Sequence, residues 1–270
     1  MMKSIITNIE YCMAKCLLFI LFTFVSSSLY AGTSEKALLS EKDKADSLYT
    51  KGEYRGAVGI YEELSKKVSS SDIYYNLGNC YFRLNDYPQA RLSLEKAFIL
   101  NPSDSDVKNN LNLVISKIKT NDAKSQSFIS VFANNVCYSF TIGGWTVLAL
   151  VAFIMALGLF LLYYFGWTLR IRKLAFFAFI AFFITTALSL TCAGIQDYNL
   201  KNPSEAIVLQ VADVRVSPTK NADILKQLLP GTKIGLVDEN AVDGWKQVSL
   251  GNGDKGWMKS SDIGIIGLYP

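Results

Sequence analysis

The sequence predicts a multi-domain chain: an all-α helix-turn-helix domain, then two transmembrane helices, then a small C-terminal all-β barrel. Three observations carry this. Two uncharged apolar runs, 145–167 and 174–196, are each a little over 20 residues long, enough to cross a hydrocarbon core about 30 Å thick. Ahead of them, a polar stretch with helical period repeats itself at a spacing of 33 residues. Behind them, the apolar period becomes strand-like and turn residues recur every 8–12 or so positions.

Of the 270 residues 50% are hydrophobic, so there is room for more than one domain, and the two apolar runs absorb part of that excess. The net charge of +4 is mostly a matter of place. Arg170, Arg172 and Lys173 crowd the loop 168–173, while the long segments on either side are close to neutral. No stretch has the clustered positive face that phosphate-backbone binding needs, so no nucleic-acid partner is expected. The absence of histidine excludes Ser-His-Asp and Cys-His nucleophiles and His-containing zinc sites. Cys12 and Cys16 lie in the N-terminal segment; Cys80, Cys137 and Cys192 are too few for a four-thiolate site and odd in number for pairing. Cys80 reads as a small buried helix residue and Cys192 as a membrane-embedded one. Thiol chemistry through Cys80 and Cys137 is the alternative. No cofactor, metal or catalytic group is expected.

Residues 1–31 read as a secretory signal peptide: Lys15, an apolar stretch from Leu17, then small residues up to Ala31. Uncut, the segment would act as an anchor, and either way the residues after it are exported.

Residues 32–119 form the helical domain. Lys51-Gly-Glu-Tyr54-Arg-Gly-Ala57 matches Leu84-Asn-Asp-Tyr87-Pro-Gln-Ala90. In the second copy Tyr74 to Tyr81 starts one helix and Tyr87-Pro-Gln-Ala90 opens the next. Gly78 and Ala90 are small enough for the helices to approach, Leu77, Tyr81 and Leu94 fill the space between them, and Pro102 follows the last turn. These residues resemble a tetratricopeptide repeat. The first copy, about Leu38–Ser70, departs from that pattern: Lys44-Ala45 stands at the Leu-Gly position and Ser69 replaces the closing proline. A capping helix is expected from Asp106 to Lys119, with Leu111, Val114, Ile115 and Ile118 on its buried face. The resemblance implies a concave groove for a peptide, lined by Lys42, Asp46 and Tyr49 from the first copy and Tyr75, Asn79, Phe82 and Arg83 from the second. Asn79 and Arg83 suit a peptide backbone or a carboxylate. A merely solvated helix face is the competing reading.

Residues 120–144 are a linker, either an interfacial helix using Phe128, Val131, Phe132 and Val136 or an unstructured tether. The two spans follow, 145–167 and 174–196, joined by the cationic loop 168–173. By the positive-inside bias that loop is cytoplasmic, and Trp145, Tyr163, Tyr164, Trp167 and Tyr198 suit the headgroup belts. Neither span contains Asp, Glu, Lys or Arg, so the hairpin reads as an anchor rather than a pore. Thr185, Thr186, Ser189 and Thr191 are expected to satisfy their hydroxyls on their own helix, and Ala152 and Ala156 to pack the pair.

After the linker 197–204, residues 205–266 supply short strands with Pro230-Gly231, Asp243-Gly244-Trp245 and Gly256-Trp257 as turn signals. The order of these motifs resembles bacterial SH3-like domains. Val214, Val216, Val248 and Ile263 are expected in the core, with Gly231, Gly244 and Gly256 at turns or close approaches. Trp245 and Trp257 read first as barrel packing and second as an exposed platform for a peptide or a cell-wall peptide stem, helped by Asp213 and Arg215.

Signal peptide, tetratricopeptide repeats, apolar hairpin and SH3-like barrel, in this order, resemble the BatE-type Bacteroides aerotolerance proteins. That resemblance implies partners among other Bat proteins, several with von Willebrand A-type domains, and a part in oxygen or stress tolerance. The expected protein is a non-enzymatic adaptor of the bacterial inner membrane, two-pass, with both modules in the periplasm, in contact with membrane lipid and with membrane or periplasmic proteins. A cell-wall anchor or sensor, whose barrel binds peptidoglycan peptide, is the alternative.

Overall fold

The computed structural model of the protein describes residues 32–118, 136–237, 242–251 and 253–267. The expected signal peptide, and Phe128, Val131 and Phe132 of the linker, lie outside the described residues.

Five helices build the first module: α1 (Gly32–Thr50), α2 (Tyr54–Lys67), α3 (Ser71–Arg83), α4 (Tyr87–Leu100) and α5 (Ser105–Lys117). The repetition seen in the sequence extends to the backbone. Gly52 (φ 81°) and Asn85 (φ 62°) stand one repeat apart, and each turns the chain in the left-handed region that glycine and asparagine tolerate. Asp86 then caps α4 through Gln89 N at 3.3 Å, and Asp104 caps α5 through Asp106 N at 2.8 Å. Helices α3 and α4 meet where the small residues are. A β-carbon at Gly78 would fall 2.7 Å from Leu94 Cγ, closer than packed atoms permit. Ala45, Ala57, Tyr61 and Leu64 fill the equivalent space in the first copy. Leu111 and Val114 of α5 close the stack over Leu94, with Ile115 and Ile118 packed against them.

Helices α6 (Ile142–Phe165) and α7 (Leu169–Lys201) form an antiparallel hairpin. Both are long and apolar enough to cross a membrane. They pack through Ala149, Ala152 and Ala156 on one helix and Ala175, Thr186, Ser189 and Ala193 on the other. Outward-facing Leu150, Ile154, Leu161 and Phe177 are exposed. The turn is shorter than the sequence suggests. Gly166, Trp167 and Thr168 suffice, because Thr168 caps α7 through Ile171 N, and the cations of 168–173 fall on the first turn of α7. At its other end α7 continues past 196 and takes up most of the expected linker, since nothing disfavours helix before Asn202, the residue preceding Pro203. Thr185, Thr186 and Thr191 donate to carbonyls four residues earlier, but the Ser189 hydroxyl is buried without a partner.

The third module is an antiparallel sheet of seven strands: β1 (Glu205–Val208), β2 (Ala212–Arg215), β3 (Ile224–Leu228), β4 (Lys233–Leu236), β5 (Trp245–Ser249), β6 (Lys255–Lys259) and β7 (Ile263–Ile265). Their order is β3-β2-β6-β5-β4-β1-β7, so the expected barrel is not closed: β3 and β7 are edges. The sheet still curls enough for Val208, Val214, Val248, Met258 and Ile263 to share one core. Edge β7 is not bare, because Leu92 of α4 packs over Gly264. Val216, expected in the core, is 56% exposed. A register shift between Val214 and Arg215 disrupts the ladder, and β2 ends before Val216.

Candidate binding groove and the junction between modules

The groove is built on helices α1, α3 and α5. Tyr49, Tyr75, Asn79, Phe82 and Arg83 line one depression of about 260 Å³, together with Asn110 and Leu113 of α5. Asn110 Nδ2 donates to Tyr75 Oη at 3.1 Å and to Asn79 Oδ1 at 2.8 Å, so α5 fixes the groove face of α3. Arg83 Nε reaches Tyr49 Oη at 3.4 Å, a long bond that bridges the two copies. Phe82 leans on Tyr87, with ring centres 5.7 Å apart. Among the described residues Arg83 is the one charged residue lining the depression, which therefore favours an anionic or carbonyl-rich ligand.

Lys42 and Asp46 are placed differently. Asp46 accepts from the Tyr61 hydroxyl, from Asn76 Nδ2 at 3.2 Å and from Lys42 Nζ at 2.8 Å. Tyr61 occupies in the first copy the place of Leu94 in the second, and its hydroxyl needs an acceptor; Asp46 supplies it. Burial, reinforced by that carboxylate, pushes the Tyr61 phenol well above its ordinary range. Cys80 is also enclosed here, and burial pushes its thiol up to about 12, which leaves it unreactive.

On the sheet, Asp213, Arg215 and Trp245 border a cavity of about 330 Å³ with Gln227 and Lys259. Arg215 Nη2 lies 3.1 Å from Asp213 Oδ2, while Nη1 donates to the carbonyls of Lys220 and Ala222 at 2.8 Å each. That guanidinium pins the turn between β2 and β3. Trp245 pairs in register with Lys259, and Gln247 with Trp257, which puts both tryptophans on the face opposite Val248 and Met258. Each is half-buried and neither joins the core, so they do not serve as barrel packing. Trp257 does not line the cavity.

Sequence reasoning missed the junction between the helical module and the sheet. Arg91 and Glu95 of α4 are 4% and 6% exposed. Arg91 Nη1 donates to Gly231 O at 2.7 Å, and Glu95 Oε2 receives Lys233 Nζ at 3.1 Å. Lys233 also meets Glu205 at 2.7 Å. Burial opposes the lysine's charge, but the two carboxylates outweigh it and hold its pKa above the ordinary value. Gly231 (φ 86°) makes the turn into β4, and a side chain there would collide with Ile118 at 2.7 Å. Lys233, Glu95 and Glu205 border a cavity of about 370 Å³, which Phe98, Tyr138 and Asn199 also line. No local signal marked it, because polar residues on that side of α4 are also what a solvent-facing repeat helix carries. The spacing of Arg91 and Glu95 also fits a surface pair, which hid it.

Residues 71–104 match the family model described as tetratricopeptide repeat, which covers α3, α4 and the turn into α5. No curated protein matches the chain.

Proposed function

We propose that the protein is a non-enzymatic adaptor of a bacterial inner membrane, holding its repeat module and its sheet module together on the periplasmic side. Tetratricopeptide repeats generally mediate binding of protein partners. The observation that carries the reading is the ion-paired docking of α4 on β4, because modules joined by Glu95 and Lys233 belong in one aqueous compartment. The exposed apolar belt of α6 and α7 supports lipid as its solvent. Arg170, Arg172 and Lys173 sit at a helix N-terminus, where the helix dipole disfavours cations, so their position favours a topological signal at the cytoplasmic face. The groove around Asn79 and Arg83 would take an extended or helical segment of a partner. The order of modules favours partners of the Bat type, with von Willebrand A-type domains, in oxygen or stress tolerance. The sheet would act as an SH3-like second contact, and anchoring both on one membrane raises their local concentration for a shared partner. Crosslinking of intact membranes followed by mass spectrometry tests this. Crosslinks from α1, α3 or α5 to another membrane or periplasmic protein are expected, and crosslinks confined to the chain itself would overturn it.

The cavity beside Trp245 favours a second reading, cell-wall binding through a peptidoglycan peptide. Full-length protein in detergent would then sediment with purified wall sacculi, and a Trp245→Ala variant would not.

A further inference from the structure

The structure brings Cys137 to Cys192 rather than to Cys80. Cys137 Sγ and Cys192 Sγ lie 2.6 Å apart, across 55 residues of sequence. Both are free thiols, Cys137 half-buried and Cys192 7% exposed. The contact is held from several sides. Trp145 Nε1 donates to Cys137 O at 2.8 Å, and Gln196 Nε2 donates to the same carbonyl and to Phe140 O at 2.9 Å. Cys192, Ala193 and Trp145 form one small core with Cys137 packed against it. The same turn carries Tyr138, which stacks on Phe98 of α4 at 6.1 Å and accepts from Asn199 Nδ2 at 3.0 Å. The segment entering the first span is therefore seated on the second span at one end and on the repeat module at the other.

We propose that Cys137 and Cys192 are an oxidisable dithiol whose disulfide staples this turn to α7 and fixes the mount of the repeat module on the hairpin. The oxidant is a disulfide-bearing molecule, either a thiol-disulfide oxidoreductase or oxidised glutathione. Cys137, the more accessible thiol, attacks one sulfur of that disulfide after losing its proton; the other sulfur leaves as a thiolate and is protonated. Cys192 then loses its proton and attacks Cys137 Sγ, displacing the oxidant's second sulfur, which departs as a thiol. Two protein thiols become one disulfide, and the oxidant's disulfide becomes two thiols. Oxidation inside a cell further depends on the exported orientation proposed above; the pairing itself does not.

The test uses full-length protein purified in detergent, incubated in mixtures of reduced and oxidised glutathione, acid-quenched and alkylated. Wild type should lose two alkylatable thiols, and peptide mapping should join the Cys137 peptide to the Cys192 peptide. Cys137→Ser and Cys192→Ser should each abolish that linked peptide, while Cys80→Ser leaves it intact. No loss of thiols, or a linked peptide pairing either cysteine with Cys80 or with a second chain, would overturn the proposal. The same alkylation on freshly lysed native membranes separates the two ideas. A pair that closes in detergent but is reduced in cells supports the dithiol and counts against the exported orientation.

Discussion

Lys233 of β4 lies 3.1 Å from Glu95 of α4, 138 residues earlier in the chain, and that contact turns a string of modules into one docked unit. Losing Glu95 leaves Lys233 with the Glu205 carboxylate but takes the anion from beside buried Arg91. Because Lys233 is partly exposed, Glu95→Gln should cost about 2–3 kcal/mol, toward the lower end of what such losses bring. Thermal unfolding in detergent, with trypsin sensitivity around residues 197–204, measures it. A double-mutant cycle with Lys233→Met should show a coupling of about 1–3 kcal/mol; simple additivity would mean the pair contributes nothing.

Gly78→Ala places a methyl group 2.7 Å from Leu94 Cγ and 3.3 Å from Ala90 O. Helices α3 and α4 must then separate, at a cost of about 1–3 kcal/mol. The helical circular-dichroism signal should melt earlier by several degrees. An unchanged melting temperature would contradict this packing.

Arg83→Ala removes the groove's cation from an exposed position. Partner crosslinks should fall about tenfold or more for Arg83→Ala, the loss expected of one charge-assisted hydrogen bond of about 1.5–3 kcal/mol. The melting temperature should stay within a degree or two. Lys42→Ala should leave the crosslinks unchanged, since Lys42 does not line the depression.

The repeat core should be sensitive to alkali. In the folded chain burial raises the Cys80 thiol from 9.0 to about 12 and lifts the Tyr61 phenol as well. Groups whose pKa is raised on folding contribute fully below the unfolded value and lose that contribution as pH climbs through the folded one. Stability in urea should be flat to about pH 9 and then decline toward pH 12. Cys80→Ala should flatten part of that decline, and an identical slope would show that Cys80 is not the titrating group.

Local patterns were legible wherever a single element decided the outcome. Gly78, Ala90 and Leu94 announced a close helix pair, and Ala152 and Ala156 announced the packed face of the hairpin. Misreadings arose where a residue answers to something distant. Asp46 looked like a groove residue because its need, the Tyr61 hydroxyl, sits on the next helix. Trp245 and Trp257 looked like core because strand alternation fixes a face only once register is known. Arg91, Glu95 and Lys233 went unnoticed because no local pattern links positions on two modules separated by an apolar helical hairpin.

The central claim is that both modules share one compartment. It is tested most directly by placing a single cysteine at Glu63 or at Lys226 in otherwise cysteine-free chains and treating spheroplasts with a membrane-impermeant maleimide. Both positions should label without lysis. If one labels in intact spheroplasts and the other only after the cells are opened, the modules lie on opposite sides of the membrane and the docked unit cannot exist there.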